Sequence, residues 1–494
     1  MKKTDFNSLL SYDLDSRLNR INTDKLEQHI LDLFYKTALT VPAYKKFLAE
    51  NNVGVSSIQT LEDFQKIPFV TKENYIKKYP IAETCRYGDM ANLDFISVSS
   101  GSTGVPTFWM RDAEDEINIS ERFEQVLTEC FVPQAKSNLC VICFPLGTWV
   151  GGLFTTNCVR FLSMKGYRVT IIAPGNNKDE ILRVVSELGK KFERVILFGY
   201  PPFLKDVVDT GISKGMDWKQ FDNKLVMAGE VISEEWRTLM SERLGIKDEL
   251  TSFSSLYGTA DAGVLANETP LTIKIRKFFS KHPELTKRVF GQSRLSSLCQ
   301  YDPYSRYFEQ HENTLLFTGD NGIPLIRYHI NDDGGIYSFD EMISILNENG
   351  FDVLAEMEKD YPDLKIRNMP FVYVFGRSMF TLSYFGANIY PENISIGLQS
   401  NEVKDIVTGK YVMQILEDED KNMRFRITVE LVQELEPDEE KRELIGRSIL
   451  ASILHINSEY KNYVPAEYQV PFIVLKKAGD KEYFPVGVKH RYVR

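Results

Sequence analysis

The sequence predicts an α/β fold: a large N-terminal body built on a βαβ parallel sheet, followed by a small α+β C-terminal domain. Three observations predict it. Between about 138 and 232, the short apolar runs LCVICFP, YRVTIIAP, RVILFGYP and KLVMAGE alternate with helical patterns. One of those patterns, DEILRVVSELGKKF, is amphipathic, and such alternation builds a parallel sheet flanked by helices. Beyond Phe375–Gly376–Arg377 the pattern changes: YVMQILED and RFRITVELV alternate apolar and polar residues around the polar turn EDEDKN. EEKRELIGRSILASIL then reads as an amphipathic helix and FIVLKK as a last strand, so the expected domains are 1–375 and 376–494.

Upstream of the sheet, Leu26, Ile30, Leu33, Phe34 and Ala38 recur at helical spacing over residues 25 to 50. LEDFQKIPFVTK, from Leu61 to Lys72, reads as a helix followed by a turn set by proline. The whole chain has 494 residues, which fits two or three domains at about 150 residues each. Apolar residues are 43% and charged residues 26%, which excludes a wholly disordered chain. Lys plus Arg is 59 against 69 for Asp plus Glu, a formal net charge of −10, so there is no global attraction for nucleic acid or an anionic membrane. A local basic site for a phosphorylated ligand remains compatible with that balance.

Six cysteines are too few for a disulfide framework. Cys140 and Cys143 form a CxxC, but within the apolar run LCVICF they read as part of a buried strand. The N-terminus has two lysines without the apolar stretch of a signal peptide, and no apolar run approaches 18 residues. The expectation is a cytoplasmic protein. No internal repeat is evident.

The strongest local signal is Ser99-Ser100-Gly101-Ser102-Thr103-Gly104-Val105-Pro106, directly after the strand-like FISV. Hydroxyls and glycines at this density favour a loop whose exposed N–H groups wrap an anion. It is not a Walker loop, because no lysine follows the second glycine. Taken with LEDFQKIPFVTKENYIKKYP just upstream, the pattern resembles the phosphate loop of the adenylate-forming (acyl-CoA synthetase) superfamily. Its variant is most similar to the phenylacetate–CoA ligase branch, and the resemblance covers, in patches, about residues 55 to 394.

Further motifs follow in the family's order. Ser255-Leu256-Tyr257-Gly258-Thr259-Ala260-Asp261 resembles Tyr-Gly-x-Thr/Ser-Glu, which implies that Tyr257 packs on the adenine and Asp261 holds Mg²⁺. Ala260 replaces a hydroxyl residue and Asp261 is one methylene, about 1.5 Å, shorter than Glu. Upstream, Ala228-Gly229-Glu230 is similar to the family's Gly-Ala-Glu, where small residues admit the adenine and the acyl group. Pro324-Leu325-Ile326-Arg327-Tyr328-His329-Ile330-Asn331-Asp332 resembles the segment whose Asp grips the ribose, which makes Asp332 the ribose candidate. Thr318-Gly319-Asp320 spells a decoy, but it precedes the Ile-Arg-Tyr segment and an Asn-Gly hairpin signal follows it. His329, where the branch has Arg, is given no role.

Gly376-Arg377-Ser378-Met379-Phe380 and Phe385-Gly386-Ala387-Asn388-Ile389-Tyr390-Pro391 resemble the family's hinge and the hairpin beyond it. The resemblance implies that Arg377 contacts ribose and phosphate, and that Leu382 to Ile389 lines the pantetheine passage with Gly386 allowing close approach. Met379 replaces the usual hinge Asp about which the small, mobile domain rotates. In the tail YFPVGVKHR, Lys489 is the candidate catalytic lysine, with Arg491 or Lys481 behind it. Its charge would offset negative charge developing in the transition state. Phe144, Trp149 and Gly151, with Tyr200, are the candidate acyl pocket; Trp149 and Tyr200 suit stacking on an aryl acid and equally suit a core.

The reading is therefore an AMP-forming acid–thiol ligase using ATP, Mg²⁺ and CoA. A small carboxylic acid, aryl favoured, is the substrate, with neither nucleic acid nor membrane as partner, and a homodimer left open. An amine or carrier-protein acceptor remains the alternative, as does a catalytically silent nucleotide-binding relative.

Overall fold

The computed structural model describes residues 11–22, 25–91, 93–99, 107–132, 135–292, 294–377, 381–432, 434–484 and 492–493. The described chain divides between Gly376 and Arg377 into two compact units. The first holds the chain to Ser99, Phe108–Gly199 and Val207–Gly376; the second holds the chain from Arg377 onward, with Thr107 and Tyr200–Asp206. In chain order the strands of the first unit are β1 (Phe95–Ser99), β2 (Thr107–Arg111), β3 (Asn138–Ile142), β4 (Val169–Ile172), β5 (Arg194–Gly199), β6 (Asn223–Ala228), β7 (Phe253–Thr259), β8 (Gly263–Asn267), β9 (Ser297–Gln300), β10 (Tyr307–His311), β11 (Thr314–Gly319), β12 (Leu325–Tyr337) and β13 (Phe371–Arg377). Eleven of them form one mixed sheet of order β10-β11-β12-β13-β9-β8-β7-β6-β5-β3-β4.

The run from β4 to β7 is the parallel half. The helices Val150–Met164, Lys178–Leu188, Pro201–Ser213 and Glu234–Leu244 make its crossovers. β3 and β5 are buried along their whole length, as strands covered on both faces must be, and this is why their sequences read as unbroken apolar runs. Lys178–Leu188 shows how the crossovers hold: Asn177 caps its first turn, and Ile181, Leu182, Val184 and Val185 turn inward. Cys140 lies within β3 and Cys143 just beyond it, both buried free thiols that burial pushes upward in pKa, as the core reading of the CxxC requires.

The other half is antiparallel, and the sequence did not announce it. Its apolar face packs against the N-terminal helices Leu26–Thr40 and Pro42–Glu50, with Phe34, Tyr44 and Phe47 set among Phe308, Leu315, Phe317 and Tyr328. The single helical pattern expected over 25 to 50 is two helices, because Pro42 opens the second and Val41 is extended before it. β12 carries non-glycine residues at positive φ, Arg327 (49°) and Asn331 (60°), beside register shifts in its pairing with β11. Such kinks re-aim the side chains that follow them.

The second unit has a three-stranded sheet of β16 (Val407–Glu417), β17 (Met423–Leu431) and β18 (Phe472–Lys476), preceded by the hairpin β14 (Leu382–Tyr384) and β15 (Ala387–Ile389). β16 and β17 are antiparallel, and β18 returns parallel to β17 after the helix Glu439–Ile456. Among the described residues, no helix is long and apolar enough to cross a membrane.

Candidate active site

In an open α/β sheet, ligands settle beyond the carboxyl ends of the parallel strands. Phe144 follows β3, Tyr200 follows β5, Gly229 and Glu230 follow β6, and Gly258 to Asp261 close β7. Gly229 sits at φ +87°, which lets the chain turn sharply from β6 toward the next helix.

Two motifs far apart in sequence meet through crossed tyrosine–aspartate bonds. The Tyr257 hydroxyl donates to Asp332 Oδ2 at 2.7 Å, and the Tyr328 hydroxyl donates to Asp261 Oδ2 at 2.6 Å. All four residues are buried. Phe308 stacks on Tyr257 at 6.1 Å between ring centroids, and Trp109 meets Tyr328 edge-on at 6.2 Å. Asp320, the decoy, is paired instead with Arg86 and, at 2.9 Å, with Lys36.

The turn between β7 and β8 is held from below. Arg111 donates to the Ala260 carbonyl at 2.7 Å and Arg306 to the Ala262 carbonyl at 3.0 Å. Both guanidiniums share the buried carboxylate of Asp115, at 3.2 and 3.1 Å. Thr259 Oγ1 accepts from the Ala262 N–H at 3.2 Å, so its hydroxyl serves the turn. A second buried network lies behind: Arg237 and Arg276 bind Glu234 and Glu268. Glu268 also accepts from the Ser255 N–H at 3.1 Å, and Arg276 donates to the Ile232 carbonyl at 2.6 Å, which ties β7 to the loop after β6. Burial alone would raise the Glu234 carboxyl, but Arg237 and Arg276 bring it below its ordinary pKa.

Asp261 was expected to hold Mg²⁺. Its Oδ1 lies 3.1 Å from the Lys72 ammonium, which stands 5.5 Å from the Trp109 ring centre. The ammonium is the cation beside this oxygen, and the Asp261 side chain is 3% exposed. Its carboxylate is a structural anchor for Lys72 and Tyr328. Among the described residues no group of three His, Cys, Asp or Glu is placed to hold a metal.

Near the expected acyl pocket, the Val98 N–H donates to the Thr148 carbonyl at 2.9 Å, so β1 runs beside Trp149. Trp149 opens the helix Val150–Met164 half-exposed, with Gly151 in its first turn, whereas Phe144 is buried. A Cβ at Gly152 would lie 2.3 Å from the Pro145 carbonyl oxygen, so that approach requires glycine. Tyr200 groups with the second unit: its ring is 5.5 Å from Tyr463 and only 2.5 Å from where a Cβ at Gly386 would stand. His329 has its pKa lowered by burial and by His311, and its Nε2 sits 2.8 Å from Thr314 Oγ1.

Ser99 ends β1 and its hydroxyl accepts from the Trp109 indole at 3.0 Å. Ser100, Gly101, Ser102, Thr103, Gly104, Met379, Lys489 and Arg491 lie outside the described residues, and Arg377 is described only as the backbone end of β13. Sequence reasoning missed Lys72, Arg111, Arg306 and the Glu268 network. The signal for Lys72 was present, at the end of LEDFQKIPFVTK; the others act through tertiary contacts that no local pattern marks.

This architecture is similar to that of a solved CoA ligase along nearly the whole chain. No family model matches the sequence, and no curated protein matches it. Among solved structures, 2-hydroxyisobutyryl-CoA ligase in complex with 2-HIB-AMP and CoA in the thioesterification state is similar at a TM-score of 0.65 and 15% identity, covering 98% of this chain and 94% of that one. An open conformation of that ligase with 2-HIB-AMP and CoA gives 0.56 at 14% identity, covering 98% and 97%. At these identities the likeness is one of fold.

Proposed function

We propose that the chain activates a carboxylic acid with ATP and passes the acyl group to CoA. A carboxylate oxygen attacks the α-phosphorus, the bond to pyrophosphate breaks, and an acyl-adenylate forms. The CoA sulfur then attacks the acyl carbon; the C–S bond forms, the C–O bond to AMP breaks, and the thiol proton goes to solvent. The carboxylate is its own nucleophile, so the protein's work is positioning and charge stabilisation.

The observation that carries this reading is the Tyr257–Asp332 hydrogen bond, which joins the expected adenine and ribose residues from separate motifs. A carboxylate offers about four acceptor positions, enough for one phenol and two ribose hydroxyls. In this reading Ser99 to Gly104 receive the phosphates, Ala228 to Glu230 border the adenine and acyl group, and Arg377 and Lys489 carry charge to the nucleotide. The 382–389 hairpin serves the pantetheine arm. The 2-hydroxyisobutyryl-CoA ligase complexes, which hold an acyl-AMP and CoA, support CoA as acceptor. An aryl acid and the phenylacetate–CoA ligase branch rest on the motif resemblance alone. Acid-dependent ATP–pyrophosphate exchange without CoA tests the first half of the reaction, and CoA-dependent release of AMP tests the second.

A further inference from the structure

The hairpin at 382–389 is built under strain and clamped from a distance. Its two-residue turn, Phe385–Gly386, has φ of +52° and +81°, the signs of a type I′ turn. Glycine adopts such a φ readily; phenylalanine does not. Phe385 is nonetheless buried, with its ring 4.8 Å from Tyr384 and 4.9 Å from Tyr468.

Beyond the turn, Tyr384 pairs with Ala387 and Ser383 with Asn388. Antiparallel ladders alternate bonded and unbonded pairs, so in a two-residue hairpin the second pair aims its backbone groups outward. Those groups of Asn388 are taken by side chains some seventy positions later. Its N–H donates to Glu459 Oε2 at 3.0 Å and its Nδ2 to the same oxygen at 3.2 Å. Its carbonyl accepts from Asn457 Nδ2 at 2.8 Å. Asn457 Nδ2 also donates to Asn393 Oδ1 at 2.9 Å, and that oxygen accepts from the Tyr390 N–H at 3.0 Å. Asn457, Glu459 and Asn393 are all buried. A lone two-stranded hairpin is marginal in water, and a strained one more so. A buried carboxylate and a buried amide converging on one backbone residue are more than a surface hairpin needs.

We propose that Glu459 and Asn457 are positioning residues for the thiol half of the reaction, holding the 382–389 hairpin in the shape that guides the pantetheine arm. The inference rests on the function proposed above. The sulfur must come within about 3.5 Å of the acyl carbon, and a misplacement of about 1 Å can cost roughly 100-fold in rate. Loosening the hairpin therefore weighs most on C–S bond formation, while adenylation, a reaction at phosphorus, meets it only through Tyr200 beside Gly386.

The test compares the full-length protein with Glu459→Ala, Glu459→Gln and Asn457→Ala, using phenylacetate, benzoate and 2-hydroxyisobutyrate as acids and CoA as thiol. ATP–pyrophosphate exchange reads adenylation, single-turnover thioester formation reads transfer, and amide hydrogen exchange over 382–390 reads the clamp. In Glu459→Ala, transfer is expected to fall at least about tenfold more than pyrophosphate exchange, with faster amide exchange over 382–390. Glu459→Gln, which keeps an acceptor for the Asn388 N–H, is expected to recover part of the loss. A proportional fall in both halves, or unchanged transfer and amide exchange, overturns the inference while leaving the ligase reading in place. No acid-dependent exchange from the unsubstituted protein overturns that reading, and this inference with it.

Discussion

Around the turn after β7, side chains hold one another as well as the backbone. Tyr257 binds Asp332, Tyr328 and Lys72 bind Asp261, and Arg111 and Arg306 fix the backbone beneath. In the 382–389 hairpin, side chains hold backbone, with Glu459 and Asn457 gripping Asn388. In the proposed function the first arrangement meets the nucleotide. The second sets only the shape of a segment. Substitutions in the first should therefore change how nucleotide is bound, and substitutions in the second how fast one step proceeds.

The sharpest break falls at Asp332. Asp332→Ala removes the ribose candidate and strips Tyr257 of its acceptor; kcat/KM for ATP in pyrophosphate exchange should fall about 100-fold, since hydrogen bonds to charged groups are worth about 1.5–3 kcal/mol each. Tyr257→Phe, which leaves the carboxylate in place, should lose about tenfold or less. Stability separates the regions further. Arg111→Ala leaves Asp115 buried with one guanidinium where it had two, and urea unfolding should show a loss of about 3–5 kcal/mol.

Glu116 makes a pH-dependent prediction about the same buried layer. Burial pushes its carboxyl up to about 7, against the Asn157 amide, which lowers it. A carboxyl raised on folding favours the native state most below its unfolded pKa, and that advantage is lost as pH rises from about 4.5 to about 7. Glu116→Gln should match the parent at pH 4 and exceed it in urea unfolding at pH 8 by about 1–3 kcal/mol. The smallest effect is expected at Asp261. Asp261→Asn keeps an acceptor for Tyr328 but loses the Lys72 ion pair, so KM for ATP should rise a few-fold, about 1 kcal/mol, while the Mg²⁺ concentration giving half-maximal exchange stays unchanged. A raised Mg²⁺ requirement would return Asp261 to the metal.

The parallel half was legible because strands buried on both faces write themselves as apolar runs, as LCVICFP and RVILFGYP do. The antiparallel half was not: β10 and β12 mix polar and apolar residues, and β12 kinks at Arg327 and Asn331. Tyr257 and Asp332 could be singled out because each stands in a compact motif. Their hydrogen bond could not, since it joins residues 75 positions apart. Lys72 ends a legible motif, but its pairing across to Asp261 is tertiary. Glu459 and Asn457 sit in the unremarkable INSEY, and nothing local points to Asn388. Local motifs single out candidate residues; the residues that hold them come from wherever the fold brings them.

In the proposed function the Tyr257–Asp332 side of the first unit binds ATP to adenylate an acid. ATP–pyrophosphate exchange on the purified chain, without CoA, with the parent and Asp332→Ala side by side against pooled aryl and hydroxy acids, tests it most directly. Acid-dependent exchange is expected in the parent, with its near-loss in the variant. ATP binding without exchange from any pool, or equal exchange in both proteins, would contradict it.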